Sequence, residues 1–358
     1  MRLAVLFVLV AVTAITVTAQ TRPRGRDLGI PFPGKAGPLN AITDVPGIAV
    51  GHVTLIEGEG KLIPGKGPIR TGVTAILPRP RGNWDPVFAA TFNQNGNGDM
   101  TGINWIKESG FLEGPILLTG THSVGTVRDA AIQWQLKNGR EFIFTYPIVA
   151  ETFDFLNDAN GEHVKATHAF QALDRAKPGP VEEGAVGGGT GMGCNGFKGG
   201  IGTSSRVLTT DQGGYTVGVL VQCNYGGDLR ILGVPIRSEI TDLRSCTVLP
   251  HQLERIARRV SLGLGRLGSF AGNSSGDLFL AFSTANAGAA KTEGTPSLVM
   301  LPNDRIDPLF RATIEATEEA VVNAMLGAQT MTGADGIRVF GLPGDRVVQA
   351  LRKYNRMK

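Results

Sequence analysis

The sequence predicts a layered α+β domain. Apolar segments short enough for strands come in adjacent pairs, and a helix does not follow each one, which departs from strict βαβ repetition. Helical segments are interspersed along the chain, and no long structureless linker divides it. With 358 residues, 42% hydrophobic and 18% charged, the chain has ample material for a large core. Its 50 glycines, about twice the usual share of ~7%, show no G-X-Y period and belong to turns and close backbone approaches.

Residues 1–19 have a short basic start (Met1-Arg2), a nearly uninterrupted apolar run from Leu3 to Val17, and a small residue at Ala19. This is the pattern of a secretory signal peptide. The run is shorter than the roughly 20 residues a membrane span needs. We therefore expect export to the periplasm or beyond, a mature domain at 20–358, and no membrane partner once the signal is removed. Residues 20–40, rich in Arg, Gly and Pro, read as a linker into a loop.

Val45 to Leu55, 71–78 and 87–92 read as strands, the first entered through Pro46-Gly47. The third runs into Asn93-Gln94-Asn95-Gly96-Asn97-Gly98-Asp99, which is saturated with turn formers. Residues 102–110 form a short helix or turn, 115–118 a strand, and 126–137 a helix after Thr121-His122-Ser123. A strand at 142–149 delivers the acidic pair Glu151 and Asp154; either a cleft at a strand end or a helix cap accounts for such a pair. A helix at 163–173 ends at Lys177-Pro178-Gly179-Pro180. Residues 184–202 hold ten glycines in nineteen positions. They lack a GxxxxGK[ST] phosphate loop, and we read them as a tight structural loop lining a cleft.

Residues 215–223 are a strand ending in Asn224-Tyr225-Gly226. An amphipathic basic helix occupies 251–263, with Leu253, Ile256, Ala257 and Val260 on one stripe. The turn Gly272-Asn273-Ser274-Ser275-Gly276-Asp277 leads into the apolar strand 278–285, and a further strand is expected at 296–301. Asp307-Pro308 opens the clearest helix, with Phe310, Ile314, Thr317, Val321, Ala324 and Met325 along one face. A basic helix at 346–354 closes the chain.

Net charge is only +4 and no dense Lys/Arg run occurs, which gives nucleic-acid binding little support. The five histidines show no HExxH or paired spacing, and Cys194, Cys223 and Cys246 form no CxxC motif, so neither a metal nor another cofactor is expected. Three cysteines leave at least one free or paired to another chain.

Ser274 at its sharp loop-to-strand junction has two readings. One is an ordinary tight turn. The other is a self-cleaving precursor. There the Ser274 hydroxyl attacks the carbonyl of Asn273, an ester forms, and water frees a new N-terminus whose α-amine, with an ordinary pKa of about 7.7–8.0, serves as general base.

Six blocks favour the second. They are Gly96-Asn97-Gly98-Asp99-Met100-Thr101-Gly102, Thr121-His122-Ser123-Val124-Gly125, Ala150-Glu151-Thr152-Phe153-Asp154, Val221-Gln222-Cys223-Asn224-Tyr225-Gly226, Gly272-Asn273-Ser274-Ser275-Gly276-Asp277 and Ala316-Thr317-Glu318-Glu319-Ala320. In this order, and over nearly the whole mature chain, they resemble the L-aminopeptidase/D-esterase family, which includes the β-peptidyl aminopeptidases. The resemblance implies a four-layer αββα sandwich of N-terminal-nucleophile-hydrolase type. It implies cleavage between Asn273 and Ser274 into a large subunit (20–273) and a small subunit (274–358) that stay together as partners, and assembly into a homo-oligomer, a tetramer.

The resemblance also implies site roles. Ser274 would be the nucleophile, Asn224 the oxyanion-hole amide, and Glu151 the carboxylate that binds the free amine of a small peptide or amino-acid amide. Thr317 and Glu319 would orient the Ser274 amine, although Glu318, or Thr313 with Glu315, offers a similar arrangement. Phe153 stands near the substrate where the family often has Tyr, Asp99 where Glu is expected, and Thr317 where some members have Ser. Two alternatives remain open: an acyl transferase of similar architecture, and an uncleaved periplasmic protein that binds amino compounds.

Overall fold

The structure is a computed structural model that describes residues 23–141, 144–243, 257–269, 276–291, 293–298, 301–302 and 305–358. The signal-peptide reading, the Asn273–Ser274 junction and the first half of the helix expected at 251–263 lie outside the described residues.

In chain order the elements are β1 (Ala49–Glu57), β2 (Ile69–Leu77), β3 (Val87–Asn93), α1 (Ile103–Ser109), β4 (Phe111–Leu112), β5 (Ile116–Gly120), α2 (Val124–Lys137), β6 (Ile148–Thr152), α3 (Ala166–Asp174), β7 (Gly193–Cys194), β8 (Phe197–Lys198), β9 (Gly200–Val207), β10 (Thr216–Cys223), β11 (Arg230–Ile231), β12 (Val234–Pro235), α4 (Ile236–Glu239), α5 (Ala257–Arg266), β13 (Leu278–Ser283), α6 (Asp307–Gly327), β14 (Met331–Thr332), β15 (Arg338–Val339) and α7 (Gly344–Lys353).

One sheet has the order β1-β2-β5-β6, antiparallel except for the parallel pair β5–β6. That pair is joined through α2, as a parallel connection needs a crossover. Facing it lie the ribbons β10-β9 and β13-β3-β4. Side chains alternate along each strand, so a strand between two layers feeds two cores. On β2, Val73, Ala75 and Leu77 face α2 and α3, while Ile76 faces the other way. On β6, Val149 joins the helix side, and Ile148 and Ala150 join the opposite core. On the second layer, Leu220 of β10 and Leu278, Leu280 and Phe282 of β13 enter that same central core, while Val221 and Phe279 pack toward the core containing Val321, Val322 and Met325 of α6. The three cores are the three interfaces of four layers. The sequence expectation of an αββα sandwich holds.

Three segments differ from expectation. The strand expected at 142–149 begins only at Ile148, because Pro147 cannot donate to a ladder and Phe144 and Tyr146 are exposed. Glu151 therefore lies inside the strand end, opposite Thr119, and not beyond it. The glycine-rich stretch 184–202 reads in the sequence as a loop, yet its end opens β9 (Gly-Ile-Gly-Thr-Ser-Ser-Arg-Val). Small residues there let α6 lie directly on the sheet: a Cβ on Gly202 would stand 2.0 Å from the Ala320 carbonyl oxygen. No strand forms over the described residues of 296–301, where Leu298 is exposed. The helix at Asp307-Pro308 runs 21 residues with Pro near its start, as expected.

Cys194 and Cys223 are disulfide-bonded, tying β7 to the end of β10. Cys246 lies outside the described residues.

Candidate active site

Three strand ends converge. The C-terminal end of β6 carries Glu151 and leads to Phe153, the end of β10 delivers Asn224, and the start of β13 brings in Gly276-Asp277, directly after the candidate nucleophile. The turn-rich segment Asn95–Asp99 closes the gap. The Asp277 amide donates to Asn95 Oδ1 at 3.0 Å, and the Gln94 amide donates to the Asp277 carbonyl at 2.7 Å. Glycine is required at Gly276 and leaves little room to spare at Gly98. A Cβ on Gly276 would meet the Asn97 carbonyl oxygen at 2.3 Å, and one on Gly98 would lie 3.2 Å from Gly276 Cα and 3.3 Å from Glu151 Oε1. Glu151 is thereby placed one residue's thickness from the chain leaving Ser274.

Glu151 is half-buried. Its Oε1 accepts the Asp99 amide at 3.0 Å, and its Oε2 accepts the Thr121 hydroxyl in a short hydrogen bond. Both donors are neutral. Ionised carboxylates accept only, so these bonds hold the group in one orientation without cancelling its charge. Asp99 and Thr121 were not identified from the sequence as site residues. Their signal was positional: Asp99 in a turn-former run, Thr121 directly after the glycine that ends β5.

Asn224 has a fixed side-chain orientation. The Gly193 amide, which can only donate, lies 3.1 Å from Oδ1. The Nδ2 group then faces the Phe153 carbonyl at 3.2 Å. An amide nitrogen carries two protons, so one N–H is held and the second remains for another acceptor. The disulfide and the 2.7 Å bond from the Asn195 amide to the Tyr225 carbonyl pin the chain on either side. Phe153 contributes its carbonyl to this arrangement, while its ring is 52% exposed.

The α6 residues are divided. Thr317 is fully buried, and its hydroxyl has no hydrogen-bond partner among the described residues. Its side chain packs on α5, where a Cβ on Gly263 would stand 2.7 Å from Thr317 Cβ. Ser261 on α5 bonds Gln94 Oε1 at 2.5 Å, which links this helix to the loop beside Gly276. Glu319, two residues on and so roughly 200° around the helix, faces β9 instead. Its carboxylate accepts Arg206 Nη2 at 2.7 Å, Arg26 Nε at 2.9 Å and Asn40 Nδ2 at 2.5 Å. Glu318 points to a third side, pairing with Arg266 of α5 at 3.1 Å, and burial raises its pKa. Thr313 bonds the Leu309 carbonyl one turn back. The structure thus brings Glu151, Phe153 and Asn224 together around the start of β13, sets Thr317 one helix away, and places Glu319 on another face of α6.

Among the described residues no group of three His, Cys, Asp or Glu is placed to hold a metal ion.

Residues 40–339 match Peptidase family S58. The chain belongs to that family. It is 47% identical to the beta-peptidyl aminopeptidase BapA of Sphingosinicella microcystinivorans, over 94% of this chain and 93% of that protein. It is 45% identical to the protein of the same name from Sphingosinicella xenopeptidilytica, over 95% and 94%. Among solved structures, it superposes on the L-aminopeptidase D-Ala-esterase/amidase of Ochrobactrum anthropi with a TM-score of 0.86 and 41% identity, covering 94% of this chain and all of the other. A beta-aminopeptidase of Burkholderia sp. gives 0.85 and 47%, over 92% and 99%. The Ochrobactrum structure is described as a variant of the Ntn hydrolase fold, and the four layers here share that architecture. As an S58 member the chain is a peptidase, a hydrolase of peptide and amide bonds.

Proposed function

We propose that this S58 chain is an exported, self-processing serine aminopeptidase. Its substrates are small peptides, including β-peptides, and amino-acid amides or esters with a free amine. The observation that carries the reading is Glu151: a half-buried carboxylate oriented, among the described residues, by two neutral donors, beside the start of β13 and the Asn224 amide. A carboxylate left uncompensated in this way suits an ammonium, and charge-assisted hydrogen bonds are about twice as strong as neutral ones.

In the proposed sequence the precursor first cleaves itself. The Ser274 hydroxyl adds to the Asn273 carbonyl, the peptide C–N bond breaks as the ester forms and so frees the Ser274 amine, and water then hydrolyses the ester to release the Asn273 carboxylate and restore the Ser274 hydroxyl. Residues 20–273 and 274–358 remain associated, because β13 is hydrogen-bonded to β3 across six residue pairs. In turnover, the substrate's ammonium docks on Glu151. The Ser274 amine takes the hydroxyl proton as the oxygen attacks the scissile carbonyl. The second N–H of Asn224 meets the developing oxyanion, a contact whose loss typically costs about 10²–10³ in rate. The protonated amine gives its proton to the departing amine, leaving an acyl-enzyme that water resolves by the same steps. Thr317 supplies the hydroxyl that orients the Ser274 amine, and Glu319 contributes by fixing the rotation of α6 that presents Thr317. Export through residues 1–19 and homo-oligomer formation belong to the same proposal.

The test is intact mass of the purified mature protein under denaturing conditions. Two species are expected, the smaller beginning at Ser274, and Ser274→Ala is expected to give one uncleaved, inactive species. A single full-length wild-type species stable over days would overturn the reading.

A further inference from the structure

Asp154 lies three residues beyond Glu151 and is 2% exposed. Its Oδ2 accepts the Asn157 amide nitrogen at 3.2 Å. Two glycines make room for it: a Cβ on Gly120 would stand 2.4 Å from Asp154 Oδ2, and one on Gly191 2.8 Å from Asp154 Cβ. Gly120 immediately precedes Thr121, whose hydroxyl holds Glu151. A full carboxyl group is thus enclosed directly behind the turn that orients Glu151. Burying a carboxylate is costly unless it is paired and hydrogen-bonded, and among the described residues the charge that favours its ionised form is that of His122 in the adjacent turn.

We propose that Asp154 is a positioning carboxylate of the ammonium subsite, supplying a second negative charge behind Glu151 that draws a protonated substrate amine to that end of the cleft. The proposal rests on the aminopeptidase reading. The charged groups that face Asp154 are Glu151 on β6, two residues beyond whose end Asp154 stands, which disfavours its ionisation, and His122 from the 121–123 turn, which favours it. Burial dominates and pushes its pKa up to about 6. Below that pH the second charge is absent; above it, the charge is present and ammonium binding tightens. Because Asp154 touches neither the scissile bond nor Ser274, the effect falls on substrate affinity and not on the chemical step.

The experiment is the pH profile of KM for an amino-acid p-nitroanilide, from pH 5 to 8, in the mature wild type and in Asp154→Asn, which keeps the shape and an acceptor for Asn157. Wild-type KM is expected to fall about fivefold as pH rises through 6. In the variant KM is expected to stay at the wild type's acid value throughout, with kcat following the wild-type profile. A variant that keeps the wild-type inflection, or loses kcat at constant KM, overturns the proposal. A second measurement needs no variant. Competitive inhibition of the wild type by a primary alkylammonium should tighten through pH 6, while the corresponding alcohol should show no change; the same profile for both overturns the proposal. Wild-type enzyme that leaves the p-nitroanilide intact at every pH would instead refute the aminopeptidase reading itself, and this proposal with it.

Discussion

Glu151, beside the start of β13, and Glu319, facing β9, are both carboxylates in the packed frame, and their surroundings are opposite. Glu319 is fully buried and clasped by Arg206 and Arg26, one of them itself 1% exposed, with Asn40 completing the shell. Glu151 is half-buried, and its donors among the described residues are an amide and a hydroxyl. Electrostatics explains the division. A buried charge must be paired to be tolerated, and pairing removes its capacity to bind anything else. A carboxylate meant for a transient cation must be oriented without being neutralised. The contrast separates a charge that builds the fold from one that neutral donors orient, the one proposed to take the ligand, although both stand in blocks the sequence marks equally.

The largest effect expected from this contrast is on stability. Glu319→Ala leaves Arg206 buried without its anion, and breaking a buried pair from one side typically costs about 3–5 kcal/mol. Chemical denaturation of the mature protein should show a loss of that size, or the variant should fail to accumulate. The same clasp holds the N-terminal segment, since the Gly25 amide bonds Asn323 Oδ1 one turn further along α6 at 3.0 Å. Proteolysis of the variant should therefore begin near residues 24–40. A Glu319→Ala protein as stable as wild type would dissolve the distinction.

Glu151→Gln is the converse. Among the described residues no buried cation loses a partner, so stability should stay within about 0.5 kcal/mol. Self-cleavage should proceed. Use of free-amine substrates should fall, with kcat/KM lower by about 10- to 100-fold, the worth of one charge-assisted hydrogen bond of about 1.5–3 kcal/mol. Steady-state kinetics with an amino-acid amide checks this. Unchanged kinetics would remove Glu151 from the site and leave the aminopeptidase reading without its main support.

The two halves of this comparison were unequally legible in the sequence. The layers were readable because apolar alternation on β2 and β13 and the Asp-Pro start of α6 are local signals. Glu151 was readable because it follows an apolar run and stands in a family block. What holds it was not: the Asp99 amide and Thr121 hydroxyl come from segments 52 and 30 residues away, and a backbone donor has no residue type to recognise. The role of β9 was hidden for a different reason. Its residues are small because a helix lies against them, so the strand lacks the branched apolar pattern by which strands are read. The direction of Glu319 depends on which face of α6 meets Arg206, 113 residues away. A Thr-x-Glu spacing shows that the two side chains cannot share a helical face; it does not show which one turns toward the site.

Glu318 sharpens the comparison with the smallest expected effect. It is buried like Glu319, yet its partner Arg266 is 47% exposed and can return to water. Burial is the leading influence on Glu318 and raises its pKa from the ordinary carboxylate value, with Arg266 acting against it. A folded-state pKa raised in this way contributes stability below the unfolded value, and that contribution is lost as pH rises through the folded one. Glu318→Gln keeps the group neutral at every pH. The variant should therefore match the wild type in acid, be level with it or more stable near neutral pH, and differ by no more than about 1 kcal/mol. Thermal melting at pH 5 and pH 8 measures the difference. Activity gives the decisive reading between the neighbouring acids. A kcat within a few-fold of wild type leaves Thr317, presented by the Glu319-anchored helix, as the group beside the Ser274 amine. A loss of a hundredfold in kcat with the fold intact would transfer the amine-orienting role to Glu318.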